Sequence, residues 1–129
     1  MNILDENILN EQRYYLKNWR IHVRQIGHEV GHQGIKDEEI IPLLHQLGAV
    51  TFFTRDYDFY QQNLCHTRYC LVCLAVEEYE VADFIYHFLR HPKFNTKAKR
   101  MGKVVRVSHN VIRMCQIHDS REYELLWHI

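Results

Sequence analysis

Glycine and proline are scarce in this chain of 129 residues, five and two respectively, which excludes a collagenous or linker-rich protein. Charge of one sign is missing too: 16 Lys and Arg balance 16 Asp and Glu. That balance excludes a generally basic nucleic-acid binder and an acidic disordered tail. Long apolar runs are absent, and no window approaches the roughly 18 residues a membrane-spanning helix needs. The opening Met1–Asn7 has neither the basic stretch nor the apolar stretch of a secretory signal. A cytoplasmic protein with no membrane partner is expected, and its four cysteines, Cys65, Cys70, Cys73 and Cys115, are expected as reduced and mostly buried thiols. No internal repeat or low-complexity stretch is present.

What remains is ordinary globular composition, 47% apolar and 25% charged, at a length that suits one domain. The neutral total conceals an uneven distribution. Residues 1–58 hold nine acids and six bases. Residues 90–118 hold eight bases (Arg90, Lys93, Lys97, Lys99, Arg100, Lys103, Arg106, Arg113) and no acid.

Apolar periodicity predicts the elements. Asn2–Leu4 reads as a short strand, and Ile8, Leu9, Leu16 and Trp19 mark a helical stripe. Ile21–Ile26 alternates and reads as a strand. Asp37-Glu38-Glu39 opens a helix carrying Ile40, Ile41, Leu44 and Leu47, with its acids at the positive end of the helix dipole. Pro42 predicts a late start or a kink in that helix. Ala49–Thr54 and Tyr69–Val76 read as buried strands, and Val81, Phe84, Ile85 and Phe88 as an amphipathic helix stopped by Pro92. Val104–Val107 and Val111–Ile117 suggest a terminal hairpin. This alternation predicts an α/β domain with a mostly parallel sheet, whose ligands sit at the carboxyl ends of its strands.

Acids gather at that edge. Asp5 follows the first strand, Asp56 and Asp58 follow Ala49–Thr54, and Asp37 opens the helix leading into it. Carboxylate oxygens are the ligands that Mg²⁺ or Mn²⁺ takes, and paired ions of this kind promote phosphodiester cleavage. In an extended segment, Asp56 and Asp58 face the same way, roughly 7 Å apart. Ordinary turn and cap chemistry is the competing explanation for all four.

The stretches Ile3-Leu4-Asp5-Glu6-Asn7, Gly27-His28-Glu29-Val30, Asp37-Glu38-Glu39-Ile40-Ile41 and Thr54-Arg55-Asp56-Tyr57-Asp58-Phe59, with the terminal hairpin, carry a resemblance that covers nearly the whole chain. The sequence resembles the short bacterial PIN-like proteins, relatives of the VapC-type toxin ribonucleases. The resemblance implies a single PIN-like domain over residues 1–129, of three-layer, Rossmann-like architecture. It implies a metal-dependent ribonuclease with Mg²⁺ or Mn²⁺ as cofactor, held by Asp5, Asp37, Asp56 and Asp58 as catalytic and ligand positions, with Glu6, Asn7 and Glu38 as accessory positions. Many relatives are toxins silenced by a partner antitoxin. Longer PIN domains carry a further acid on a helix between the first two elements, and this chain has no evident equivalent.

An acidic edge repels RNA unless cations fill it and bases hold the backbone elsewhere. Lys97, Lys99, Arg100 and Lys103 are the candidates for RNA contact, and Tyr57, Phe59 and Tyr60 for stacking on bases. Two other readings compete. One is a non-catalytic PIN-like module that binds RNA or a protein. The other is a zinc hydrolase through His28-Glu29-x-x-His32, which requires that segment to be helical; the flanking Gly27, Gly31 and Gly34 argue against a helix. Cys70 and Cys73 match a redox pair, but inside a strand they would face opposite sides. Trp19, Trp127 and the terminal Tyr123–Ile129 run suit packing on the domain or on a second copy in a homodimer.

Overall fold

The apolar runs that read as buried strands form the centre of one seven-stranded sheet in the computed structural model, which describes residues 1–129. Its strands are β1 (Asn2–Leu4), β2 (Arg24–Gln25), β3 (Val50–Thr54), β4 (Tyr69–Leu74), β5 (Lys103–Val107), β6 (Val111–Gln116) and β7 (Tyr123–Leu126). They lie in the order β2-β1-β3-β4-β5-β6-β7. The first five are parallel and the last two antiparallel. β3 and β4 are buried at every position, as strands covered on both faces must be.

Helices cover both faces. α1 (Asn10–Asn18) and α3 (Val81–Arg90) pack on one face through Leu16, Val81, Phe84, Ile85 and Phe88, over Leu4, Phe53, Val72 and Val105. α2 (Asp37–Leu47) packs on the other through Ile40 and Leu44, over Ile3, Phe52, Leu71 and Cys73. A short α4 (Lys97–Arg100) leads into β5. The result is a three-layer α/β fold with a largely parallel sheet. The buried Gln12 side chain ties α1 to α3 by accepting a hydrogen bond from Ala82 N–H, 2.8 Å away, an otherwise unpaired donor at a helix start.

Three local expectations change. The Ile21–Ile26 strand shrinks to Arg24–Gln25, because its partner β1 is only three residues long and pairs Ile3 with Arg24 and Leu4 with Gln25. α2 runs from Asp37 straight through Pro42, so the helix starts on time. The missing Pro42 N–H costs it only the bond to the Glu38 carbonyl, near the helix start. The terminal hairpin becomes a three-strand meander, with Tyr123–Leu126 as its edge. Tyr123 and Leu125 of β7 pack toward the α1–α3 core, which also buries Trp127. His28-Glu29-Val30 lies in a turn bracketed by an Ile26–Val30 bridge, not in a helix, so the spacing the zinc reading requires is not met. Cys70 and Cys73 fall in the cores on opposite faces, and all four cysteines are free. No helix is long and apolar enough to cross a membrane.

Candidate functional site

The strand order fixes where a site can form. From β1 the chain crosses over the α1 face to β2 on one side. From β2 it crosses back over the α2 face to β3 on the other side. The crossovers diverge between β1 and β3, and the crevice beyond the carboxyl ends of two such strands is where open α/β sheets bind ligands. Asp5 ends β1 and Asp56 lies just beyond β3. Asp37 is the first residue of α2, which opens at the same edge.

Asp5 is the most constrained of the three. It is only 9% exposed. Its Oδ2 accepts the Thr54 hydroxyl at 2.6 Å and its Oδ1 accepts the Glu6 N–H at 2.7 Å. Burial raises its pKa, those two hydrogen bonds oppose the rise, and the nearby Asp37 and Asp56 carboxylates add to it. No Lys or Arg ion-pairs with any of the three.

Thr54 joins two of these positions. Besides donating to Asp5, its Oγ1 accepts the Asp56 N–H at 3.0 Å. Asp56 Oδ1 accepts the Asp58 N–H at 2.9 Å and so caps a 3-10 turn, Tyr57–Phe59. The extended spacing expected for Asp56 and Asp58 is therefore replaced by a turn. Asp58 stands exposed on it, and the carboxylates that act most strongly on Asp5 are Asp37 and Asp56. Asp37 is exposed, and Lys36, not Asp37, occupies the cap position of α2. The Asp37 carboxylate is thus not consumed by capping.

The accessory positions divide. Glu6 accepts the Gly34 N–H at 3.0 Å and lies against Gly27, where a Cβ would come within 2.7 Å of its Oε2. The φ of +86° at Gly27 is a left-handed conformation that favours glycine, and a Cβ there would displace the end of the Glu6 side chain. Glu6 therefore ties down the Gly27–Gly34 loop. Asn7 and Glu38 are exposed at the same edge, and neither side chain makes a hydrogen bond. A buried residue the sequence reading passed over, Gln25, secures the loop that carries Asp5. Its Nε2 donates to the carbonyls of Asp5 (3.0 Å) and Ile8 (2.9 Å), and its Oε1 accepts from Arg13 at 3.2 Å. Arg13 in turn pairs with Glu29. The signal for Gln25 was a polar residue on the inward side of an alternating segment.

The basic candidates lie elsewhere. α4 packs at the amino ends of the strands. Arg100 Nε donates to Thr51 Oγ1 at 2.9 Å and its Nη1 to the Phe94 carbonyl at 2.7 Å. Lys97 and Arg100 stand close enough to the Met1 amino group to lower its pKa, an effect secondary to burial. Arg100 is buried and structural, and Lys97, Lys99 and Lys103 share its edge, opposite the carboxylates. Phe59 is buried against Phe52 and Tyr60 donates its hydroxyl to Glu122 at 2.5 Å. Only Tyr57 stands largely exposed, at 48%. Two bases do reach the carboxylate edge: Arg55, whose Nε donates to the Val76 carbonyl at 2.9 Å, and Arg106, whose Nε donates to Tyr57 Oη at 2.6 Å.

As they stand, no three Asp, Glu, His or Cys side chains are gathered tightly enough to enclose an ion. The donor chemistry nevertheless suits a hard divalent cation: three carboxylates from three elements, one of them desolvated, with no cationic side chain to neutralise them. Comparison with known proteins returned no match among protein-family models, curated proteins or solved structures.

Proposed function

We propose that this protein is a metal-dependent endoribonuclease of PIN-like type, hydrolysing RNA phosphodiesters at the carboxyl edge of β1 and β3. One observation carries the reading: Asp5, buried and hydrogen-bonded at the point where the strand order reverses, with Asp37 and Asp56 beside it. Burying a carboxylate without a cationic partner is costly, and such a cost is commonly retained for function.

Asp5, Asp37 and Asp56 would hold Mg²⁺ or Mn²⁺, which when bound supplies the positive charge that draws in a phosphodiester and the Lewis acidity its hydrolysis requires. The chain's own part is positioning. Thr54 and the Glu6 N–H orient the Asp5 carboxylate, and Gln25 holds the backbone from Asp5 to Ile8. Asp37 and Asp56, less buried, remain accessible from solvent. The test is Mn²⁺-dependent cleavage of a mixed RNA pool by wild type and Asp5→Asn. Cleavage by the wild type alone is expected, and equal activity in the two would end the nuclease reading.

The resemblance extends the proposal to the toxin of a toxin–antitoxin pair. Induced expression should then arrest bacterial growth for wild type and not for Asp5→Asn, and an antitoxin encoded beside it should restore growth. A second reading, a protein-binding module without catalysis, is supported by the outer face of α1 and α3. Tyr14, Tyr15, Trp19 and Tyr79 stand exposed there, and Tyr15 stacks on Trp19 with ring centroids 5.9 Å apart. Exposed aromatics in such density mark protein-binding surfaces. Metal-independent inactivity on every RNA, together with partner binding lost in Trp19→Ala, would favour that reading.

A further inference from the structure

Strand register carries a line of residues outward from the carboxylates across the sheet. Thr54 pairs with Cys73, Cys73 with Arg106, Arg106 with Arg113, and Arg113 with Glu124. Residues in register point to one face, and Cys73 places this line on the α2 face. α2 covers β1, β3 and β4 there, but its core ends at Val104 of β5. Beyond that point Cys115 of β6 is still buried, beside the Tyr60 hydroxyl, but toward the carboxyl end of β5 the face is open: Arg113, Glu124 and Leu126 are exposed, Leu126 at 77%. With strands about 4.8 Å apart, Arg106 and Arg113 lie about 10 and 15 Å along the sheet from Thr54.

Two features of this open strip are unusual. Arg106 and Arg113 are direct cross-strand partners, and like charges placed opposite each other destabilise a sheet. Arg113 is only partly compensated by Glu124 at 3.3 Å, a half-exposed and therefore weak pair. In addition, the Arg106 guanidinium lies 4.8 Å from the centroid of the Tyr57 ring, and Tyr57 follows Asp56 in the chain. Arg106 is the register partner of Cys73, and Cys73 that of Thr54, two residues before Asp56, so the cation lies two strands from the one that leads to the acid. An anion between the two arginines would relieve their repulsion, and an aromatic ring beside it offers a stacking surface.

We propose that Arg106 and Arg113 bind a backbone phosphate of single-stranded RNA flanking the cleaved bond, with a base stacked on the Tyr57–Arg106 pair. The identification of the strand as RNA rests on the nuclease reading above. A single strand is the occupant the geometry fits. The strip is one line of side chains wide and offers one phosphate-binding pair and one stacking platform, the combination used for unpaired strands. Lys97 and Lys99, on the opposite edge of the sheet, take no part.

The test is fluorescence anisotropy of a short labelled oligouridylate with full-length protein in EDTA, so that binding is read apart from cleavage. Arg113→Ala and Arg106→Ala should each weaken binding about tenfold and flatten the slope of log K against log salt by about 0.7, the value for one lost single-strand phosphate contact. Arg113→Glu, at an exposed position that leaves the fold intact, should weaken it further. Lys97→Ala/Lys99→Ala should bind as wild type, and an RNA duplex should bind more weakly than the single strand. Unchanged affinity and slope in both Arg113 variants would overturn the proposal, as would equal binding of the duplex or an equal loss in the lysine variant. Arginine-dependent binding without Asp5-dependent cleavage would uphold this inference while ending the nuclease reading. Asp5-dependent cleavage with wild-type binding by Arg113→Glu would do the reverse.

Discussion

Thr54 has one hydroxyl and uses it twice, donating to Asp5 and accepting from Asp56 N–H. Thr54→Val keeps the shape and removes both bonds, stranding a buried carboxylate oxygen. It should lower stability by about 1–3 kcal/mol in urea unfolding and lower Mn²⁺-dependent cleavage by about 10–100-fold, as loss of a group that orients a ligand does. Asp5→Asn should behave in the opposite sense on stability, because the charge it removes is the one burial penalises. The pH dependence follows from the direction of the Asp5 shift. Its folded pKa is raised above the ordinary 3.8, so between the unfolded and folded values the native state holds more protons than the unfolded one. Stability contributed by protonated Asp5 is therefore full below the unfolded value and is lost as pH rises through the folded value. Wild type measured against Asp5→Asn in urea should show that loss as pH rises from 4 toward neutrality, and a difference independent of pH would refute it.

At the scale of elements, β2 matters less for its own two residues of pairing than for Gln25, which pins the β1–α1 loop. Gln25→Leu leaves the Ile8 carbonyl without a partner inside the protein and the Asp5 carbonyl with only the Ile8 N–H, and should cost about 1–3 kcal/mol, the cost of one stranded acceptor. Arg100→Met likewise strands Thr51 Oγ1 and the Phe94 carbonyl. It should cost about 1–3 kcal/mol with no change in oligouridylate affinity at a temperature where it stays folded, which separates a structural arginine from an RNA contact. These two residues also mark where the sequence was readable. β3 and β4 were plain because strands buried on both faces must be apolar throughout, and once the sheet is parallel, acids after β1 and β3 fall at one edge. The extended spacing of Asp56 and Asp58 was misread because it depends on whether Asp56 caps the following turn. Arg100 was misread because its burial depends on acceptors, Thr51 and Phe94, that belong to other elements. β7 was missed because four alternating residues carry too little signal until β6 supplies an edge to pair with.

For the whole molecule, zero net charge describes a separation. Carboxylates occupy the carboxyl edge of the parallel strands, and Lys97, Lys99, Lys103 and the Met1 amino group occupy the amino edge. The basic segment of the sequence is thereby divided, with α4 at one edge and Arg106 and Arg113 carried by the meander toward the other. An edge holding three acids and no ion-paired base repels a phosphate and attracts a cation, so cation binding should register as stability of the entire fold. A ligand present at 100 times its Kd and bound only by the native state adds about 2.7 kcal/mol. With an unfolding entropy of about 2.1 cal/mol/K per residue near the midpoint, that corresponds to a rise in Tm of about 10 °C for a chain of 129 residues. Saturating Mn²⁺ should raise the wild-type Tm by this order in differential scanning calorimetry at constant ionic strength. The shift should be largely lost in Asp5→Asn, Asp37→Asn and Asp56→Asn. It should survive in Asp58→Asn, because Asp58 is exposed on its turn and the carboxylates acting most strongly on Asp5 are Asp37 and Asp56. Survival of the full shift in Asp5→Asn would place the cation elsewhere, whereas its loss in Asp58→Asn would mean that the Tyr57–Phe59 turn reorganises to bring a fourth carboxylate to the ion.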